Sequence, residues 1–263
     1  MIKFCGLYSS SRGNSIFLQC NKSSILVDAG LSGSKIIEAL CSIDFDPSEL
    51  SGIVITHEHS DHIQGAGILS RKFDIPIYAN CKTWDAMTPS LGKIAVKNIQ
   101  CFQTGKEFYI DDICVKPFKT PHDAAESVGF NFFAENKKIT VATDIGYIFD
   151  ELYEAVEGSD LVLLESNHDV DMLMAGRYPW PLKKRILSEH GHLSNTSAGE
   201  IIAKIAIQGT TRFLLGHLSE ENNFTELAYH TVANILNDNN IKPGIDVSLE
   251  VLPRCNPGKV IGF

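Results

Sequence analysis

Short apolar runs separated by polar turns dominate the chain, and they predict strands more often than helices. Ten runs have the length of a buried strand, at positions 2–8, 15–20, 24–28, 52–56, 75–79, 113–118, 128–133, 138–143, 161–165 and 212–216. Four segments have the apolar period of a helix, at positions 34–41, 61–73, 197–207 and 224–237. Because the strand runs fall into two groups, before and after residue 120, the pattern favours two packed sheets over one doubly wound sheet.

The composition agrees with one α/β domain. A chain of 263 residues with 44% hydrophobic content can bury a large undivided core. No apolar stretch approaches the roughly 18 residues of a membrane-spanning helix, and the first residues turn polar too soon for a secretory signal. Seven cysteines without a CxxC pair predict reduced thiols and a cytoplasmic location, with no membrane partner. We expect Cys20, Cys101 and Cys114, which lie in strand-like runs, to pack as small core residues.

The most informative polar segment follows the buried run 52–55 directly. It places three of the nine histidines and one aspartate within six residues, namely His57, His59, Asp61 and His62. A tight turn at the end of a buried strand can direct several side chains towards one point at the rim of the core. Imidazole nitrogens and carboxylate oxygens bind zinc and neighbouring transition metals. The segment therefore predicts a metal site rather than a solvated loop that is rich in histidine.

Three further residues with metal-binding side chains end other strand-like runs. His122 follows the run 113–118, Asp144 follows the run 138–143, and His217 follows the run 212–216. Each taken singly is an ordinary turn residue or helix cap. Taken with the first cluster, they indicate a site with two metal ions at one rim of a sheet.

These residues resemble the motifs of the metallo-β-lactamase-fold hydrolases. The family's HxHxDH motif matches His57-x-His59-x-Asp61-His62, and the lone His, Asp and His that follow it match residues 122, 144 and 217. The resemblance spans nearly the whole chain. It implies an α/β fold, the four-layer αββα sandwich of the metallo-β-lactamase type, with its site at the edge of two central sheets.

The resemblance also implies the cofactors, two divalent metal ions per chain. One ion would be held by His57, His59 and His122, and the other by Asp61, His62 and His217. Asp144 would bridge them, and Asp28, in the early segment 26–30, would support the metal-binding loop. Because the ligands include no thiolate, the sequence leaves zinc, manganese and iron open.

The scaffold hosts several reactions, so the fold alone does not define the function. Asp144 in the bridging position together with His62 resembles the phosphoester-cleaving and glyoxalase-like branches of the family. The segment 191–195 resembles a motif of tRNA 3′-processing endonucleases whose histidine, here His192, is thought to protonate the leaving group. Such general acid catalysis is typically worth about 10²–10⁴-fold in rate.

Spacing then narrows the choice of nuclease. Only 21 residues separate His122 from Asp144, which leaves no room for a tRNA-gripping insertion, and the 72 residues between Asp144 and His217 leave none for a β-CASP domain. Residues 1–263 are therefore expected to form a single domain without either module. The chain is most similar to the compact YycJ/WalJ-type branch, through the segments 9–15, 27–33, 56–62, 77–80, 165–169, 191–195 and 215–219. That branch implies a 5′-exonuclease on duplex DNA.

A basic and aromatic segment suggests where nucleic acid would bind. The candidate contacts are Arg177, Tyr178, Trp180, Lys183, Lys184 and Arg185, with Arg12 in the loop 9–15. The prolines in this segment predict an exposed loop without helix over 177–185, and cations beside aromatic faces suit a frayed duplex end. A loop packed on its own aromatic residues stays open as an alternative. The net charge of −9 argues mildly against a nucleic-acid partner.

The sequence therefore predicts a phosphodiesterase that uses two metal ions, with duplex DNA ends as its partner. Asp61 would orient the attacking hydroxide, and His192 would protonate the leaving oxygen. One alternative is an enzyme for a small cyclic or nucleotide phosphodiester, which the acidic balance favours. Another is a non-catalytic partner of a signalling or cell-wall pathway that keeps its metal ions for structure. A glyoxalase-like thioesterase is disfavoured, because no helical substrate domain follows His217.

Overall fold

Two seven-stranded sheets form the centre of the molecule, in a computed structural model that describes residues 1–263. The first sheet contains β1 (Ile2–Ser10), β2 (Gly13–Cys20), β3 (Ser23–Val27), β4 (Gly52–Val54), β5 (Ile77–Asn80), β6 (Ile99–Phe102) and β14 (Ile261–Gly262). The second contains β7 (Phe108–Ile110), β8 (Ile113–Lys119), β9 (Val128–Ala134), β10 (Lys137–Ala142), β11 (Leu161–Glu165), β12 (Arg212–Gly216) and β13 (Ser248–Val251). Their spatial orders are β14-β1-β2-β3-β4-β5-β6 and β13-β12-β11-β10-β9-β8-β7.

Nine α-helices and two short 3₁₀ turns, 47–49 and 96–98, connect the strands. The helices are α1 (Gly33–Ser42), α2 (Ser60–Ile63), α3 (Ala66–Phe73), α4 (Cys81–Leu91), α5 (Asp150–Val156), α6 (Val170–Ala175), α7 (Trp180–Ile186), α8 (Asn195–Ile207) and α9 (Thr225–Asp238). None of them combines the length and the apolar character that spanning a bilayer requires.

Three separate hydrophobic clusters show the order of the layers. One cluster of 22 residues joins α1, α3 and α4 to the first sheet, and another of 22 joins α5, α8 and α9 to the second. The third, of 21 residues, lies between the sheets. Strand β2 shows how alternation produces this, because Ile16 and Leu18 face the other sheet whereas Phe17 faces the helices. The predicted αββα sandwich is thereby confirmed.

The ten predicted strands are all present, but the division between the sheets was misplaced. The first sheet gives way to the second between Phe102 and Phe108, not at residue 120, because β8 pairs with β7 and β9. The structure adds four strands, β6, β7, β13 and β14, that are only two to four residues long. Strand β14 returns from the end of the chain to pair with β1.

The prediction that all cysteines are reduced is wrong for one pair. Cys81 and Cys101 form a disulfide, with Cα atoms 5.8 Å apart, and the other five cysteines are free. The pairing follows from the topology, because β6 lies beside β5 and brings Cys101 next to the start of α4. Cys101 is consequently exposed rather than in the core, whereas Cys20 is buried as expected and Cys114 is half-buried.

Candidate metal centre

One buried carboxylate organises the loop that carries the four clustered residues. Asp28 follows β3 with φ of 61°, a left-handed conformation that aspartate tolerates better than most residues. Its oxygens accept hydrogen bonds from the backbone N–H of Thr56 at 2.8 Å and from the Thr56 hydroxyl at 2.9 Å. The carboxylate also lies 2.7 Å from Nδ1 of His62. Asp28 thus fixes the start of the loop and leaves Nε2 of His62 directed elsewhere, an arrangement typical of histidines that bind metal.

The seven predicted ligands meet at one edge of the sandwich. They form two groups whose nitrogen and oxygen atoms lie within 4.8 Å of one another, the first being His57, His59 and His122 and the second Asp61, His62 and His217. Asp144 lies between the groups. Its Oδ1 is 3.7 Å from Nε2 of His122, and its Oδ2 is 3.4 Å from Nε2 of His62 and 3.5 Å from Nδ1 of His217. Each oxygen of this carboxylate therefore faces a different group.

The two groups draw on both sheets. The cluster 57–62 follows β4 of the first sheet, whereas His122, Asp144 and His217 follow β8, β10 and β12 of the second. Asp144 and His217 have φ of 58° and 55°, so both adopt the left-handed conformation just after their strands. The turn at each strand end directs the side chain across the seam between the sheets.

The electrostatics of the cluster suit a bound cation. Burial would raise the pKa of the Asp144 carboxyl, but the surrounding imidazoles, His217 and His62 foremost, hold that pKa well below its usual value. Burial lowers the pKa of His57, which favours the neutral ring that a metal ion requires. Oδ2 of Asp144 and Nδ1 of His217 are buried without a hydrogen-bond partner. Such atoms normally have a partner, and five imidazoles with two carboxylates fit zinc, manganese or iron.

A third buried carboxylate, Glu165, which the sequence analysis did not single out, holds His192. Oε1 of Glu165 lies 2.7 Å from Nδ1 of His192, while its Oε2 accepts from the backbone N–H groups of Ile145 at 2.9 Å and Leu193 at 3.1 Å. Burial alone would lower the pKa of the His192 imidazole, but the charge and hydrogen bond of Glu165 raise it to about 9. The available signal was an acidic residue that ends the apolar run 161–165.

His192 lies beside the metal cluster rather than within either group of ligands. Its Nδ1 is 3.7 Å from Oδ1 of Asp144, and its ring stacks on His217 with centroids 5.3 Å apart. His192 and members of both groups of ligands border a cavity of about 250 Å³, which Tyr178 and Arg185 also line. A molecule in this cavity would contact Asp61 on one side and His192 on another.

The predicted loop over 177–185 is instead partly helical, because α7 begins directly after Pro179. Pro181 falls in the first turn of the helix, where a missing N–H costs nothing. Lys183 is buried and donates to the backbone oxygens of Met174 and Gly176 at 2.6 and 2.7 Å, so it offers no surface charge. We therefore drop Lys183 from the candidate nucleic-acid contacts.

The other candidate contacts lie on the surface. Trp180 is exposed, and the ammonium group of Lys184 lies 5.7 Å from the centroid of its ring. Arg177 is also exposed. Arg185 forms an ion pair with Asp123 at the cavity, and Arg12 pairs with Glu220 at 2.8 Å.

Gly30, in the segment 26–30, packs closely against the metal-binding loop, and a substitution there tests this contact. A Cβ atom on Gly30 would lie 1.6 Å from the backbone oxygen of Asp61. We therefore expect Gly30→Ala to lower the free energy of unfolding by more than the roughly 1–3 kcal/mol of ordinary overpacking, and to reduce metal binding. Gly262→Ala is the matched control, because nothing lies within 4 Å of its added methyl group. Denaturant unfolding and metal analysis of both variants test this, and equal stability would contradict the packing.

Comparisons with known proteins identify the family of this chain. Residues 23–218 match the sequence profile of the family described as "Beta-lactamase superfamily domain". The chain is 44% identical over 246 residues to the exodeoxyribonuclease WalJ of Streptococcus pneumoniae serotype 2, which covers 93% of this chain and 91% of the relative. It is 42% identical over 238 residues to the exodeoxyribonuclease YycJ of Bacillus anthracis, covering 90% of each.

A solved structure extends the agreement to the fold. The metallo-β-lactamase fold protein YhfI from Bacillus subtilis superimposes with a TM-score of 0.71 at 17% identity, covering 98% of both chains. The similarity at this identity concerns the fold, whereas the two nuclease relatives share sequence over nearly their whole length. The chain belongs to the β-lactamase superfamily and, within it, to the family of the WalJ and YycJ exodeoxyribonucleases.

Proposed function

We propose that the protein is a phosphodiesterase that uses two metal ions and acts as a 5′-exonuclease on duplex DNA. The observation that carries the proposal is the position of Asp144, whose two oxygens face two separate groups of ligands. A carboxylate shared between two groups of ligands would suit a site for two metal ions, as in phosphatases and nucleases. The relatives named exodeoxyribonucleases, at 42–44% identity, supply the substrate class.

The metallo-β-lactamase fold implies divalent metal binding, and the number of ions is our proposal. One ion would be held by His57, His59 and His122, the other by Asp61, His62 and His217, with Asp144 shared. Two such ions supply Lewis-acid chemistry, which stabilises the charge that develops on the oxygens of a phosphodiester. Asp28 and the backbone oxygen of Gly191, which lies 3.0 Å from Nδ1 of His122, would hold the histidine rings in orientation.

Residues around the cavity would orient the nucleophile and protonate the leaving group. Asp61 would accept a hydrogen bond from the attacking hydroxide and orient it towards phosphorus. His192 would donate a proton to the leaving oxygen, because an alkoxide is a poor leaving group at neutral pH. Glu165, which contacts the ring of His192 from the buried side, would keep that ring protonated and in place.

The surface around the cavity would bind the nucleic acid. Arg185 and Tyr178 line the cavity itself, and the remaining contacts of this proposal are Arg12, Arg177, Trp180 and Lys184. Two divalent ions would bring the net charge from −9 to −5 and would concentrate positive charge where a phosphate binds. We further propose that residues 1–263 act as one domain, without an added module for gripping the substrate.

One comparison of substrates tests this function. Protein loaded with Mn²⁺ or Zn²⁺ should digest 5′-labelled duplex DNA from its ends and should also hydrolyse bis-p-nitrophenyl phosphate. Digestion of DNA should weaken steeply as salt rises, because phosphate contacts release counterions, whereas hydrolysis of the small diester should not. Activity on the small diester without any digestion of DNA would refute the nuclease assignment.

A small cyclic or nucleotide phosphodiester is the second candidate substrate. The acidic net charge of −9 and the modest cavity of about 250 Å³ favour it. In that case turnover would be insensitive to ionic strength and would saturate with the nucleotide. A non-catalytic protein that keeps its metal ions for structure is disfavoured, because such a site needs no histidine at the cavity held by a buried carboxylate, as His192 is held by Glu165.

A further inference from the structure

A second and larger cavity adjoins the metal centre. It has a volume of about 680 Å³ and shares His122 with the smaller cavity. We call it the β8 groove, since β8 and the segment 120–127 that follows it form one side, and the segment 147–151 forms another. Its volume lies in the usual range of ligand sites, about 300–1,000 Å³, whereas the cavity at the metal centre lies below that range.

The segment 120–127 is held firmly between the groove and the metal centre. The backbone N–H of Ala125 donates to Glu58, inside the metal-binding loop, at 2.8 Å. The backbone oxygen of Glu126 accepts from the Asn80 amide at 2.8 Å and from the Thr83 hydroxyl at 3.3 Å. These bonds tie the segment to the metal-binding loop and to the start of α4, so the groove is already formed before any ligand binds.

Lysines and aromatic rings line the groove. Lys119 is exposed with no ion-pair partner, whereas Lys82 lies 3.1 Å from Glu126 and Lys116 lies 3.7 Å from Glu107. Tyr147 is 45% exposed and meets the half-buried Phe149 edge to face, with centroids 5.9 Å apart. Three glutamates, Glu126, Glu151 and Glu189, also line it. Cations beside an exposed ring are the combination that binds single-stranded nucleic acid.

We propose that the β8 groove binds unpaired nucleotides of the strand whose phosphodiester lies at the metal centre. The proposal rests on the proposed nuclease function. His122 lines both cavities, so they lie on the two sides of the segment 120–127, and a strand at the metal centre needs only to cross this segment to reach the groove. Lys119 and Lys116 would contact phosphates, and Tyr147 would stack on a base. Since a paired base is already stacked on its neighbours, the ring selects a frayed or single-stranded end.

Binding of an oligonucleotide tests the groove directly. The probe is a fluorescein-labelled twelve-residue oligothymidylate with phosphorothioate linkages, which resist cleavage, titrated by anisotropy against metal-loaded protein. Tyr147→Ala should weaken binding by about 5- to 150-fold through the lost stacking. Lys119→Ala should reduce the slope of log affinity against log salt by about 0.7.

Matched controls exclude general effects of surface substitution. Tyr109→Ala removes a tyrosine of β7 that is 66% exposed. It pairs with Cys114, near the end of β8 that is farther from the metal centre. Lys22→Ala removes an exposed lysine in the turn between β2 and β3. Both should bind the probe like the wild type, and all four variants should unfold at the wild-type temperature.

The outcomes separate the groove from the proposed function. If Tyr147→Ala and Lys119→Ala bind the probe like the wild type, or if the wild type does not bind it, the groove proposal is overturned. Digestion of labelled DNA by the wild type would then still support the nuclease function. If binding depends on Tyr147 but the wild type digests no DNA, the groove holds nucleotides and the nuclease function fails. Hydrolysis of bis-p-nitrophenyl phosphate should be unchanged in every groove variant.

Discussion

Replacing His192 with alanine is expected to slow cleavage of DNA by about 10²–10⁴-fold while both metal ions and the fold are retained. The loss is that of a general acid, which is typically worth this much in rate. His192 is not one of the seven proposed ligands, so its removal leaves the two groups of three ligands complete. The measurement is kcat on end-labelled DNA together with metal content and thermal unfolding of the same preparation.

The leaving group provides the internal control for this variant. A p-nitrophenolate leaves without much protonation, so hydrolysis of bis-p-nitrophenyl phosphate should fall far less than digestion of DNA. His230→Ala, which removes an exposed histidine of α9, should behave like the wild type on both substrates. If both substrates slow equally in His192→Ala, or if its metal content falls, His192 is not a dedicated acid.

Glu165→Gln refines the same result. The negative charge of Glu165 raises the pKa of His192 to about 9, which favours the imidazolium that a general acid requires. Removing that charge lowers the pKa, because a cation loses its partner. The rate on DNA should therefore begin to fall at a lower pH on the alkaline side than in the wild type, whereas the profile on the p-nitrophenyl substrate should move little.

Asp144→Ala is expected to have the other largest effect, a fall from two metal ions per chain to one or fewer, with loss of activity on every substrate. Both oxygens of this carboxylate face ligand groups, so its loss would remove a ligand atom from each proposed metal position. Metal analysis by mass spectrometry, after dialysis against buffer that contains the metal, measures the occupancy. Wild-type protein that binds one ion or fewer under these conditions would overturn the assignment of a metal pair.

An isosteric variant distinguishes the role of Asp144 in binding metal from a role in folding. Asp144→Asn keeps the shape and one neutral acceptor oxygen, and asparagine also tolerates the left-handed backbone at this position. We expect it to remain folded but to bind the metal ions less tightly, because the bridging charge is lost. Metal occupancy at the wild-type level in Asp144→Asn would indicate that the carboxylate charge is not needed for the pair.

The position of the proposed metal ligands at one sheet edge could be predicted from the sequence, because these residues follow strongly apolar strands. Wherever a buried run ends in His or Asp, the position of the side chain at the sheet edge follows from the strand itself. The seven residues named from the sequence lie close together in the structure, and Glu165 and His192 lie with Asp144 and His217 there. Glu165 was missed because its role depends on two backbone N–H groups from other elements, which no local pattern reveals.

Features that depend on contacts between short elements were not predictable in this way. The disulfide of Cys81 with Cys101 requires β6, a strand of four residues whose alternation is too brief to recognise. Helix α7 was misread because prolines normally exclude a helix, yet Pro181 occupies the first turn. The buried position of Lys183 depends on the backbone of another helix, α6, and of the turn that follows it.

Because the proposed ligands come from both sheets, metal binding would affect the stability of the protein and its abundance in a cell. An ion held by residues after β4 and by residues after β10 and β12 would link the two sheets at the edge where these strands end. A ligand that binds only the folded chain stabilises it by about 2.7 kcal/mol at a hundred times its dissociation constant. Loss of metal would therefore do more than abolish activity. It would lower the free energy of unfolding, so that the chain would be more open to proteolysis and less abundant.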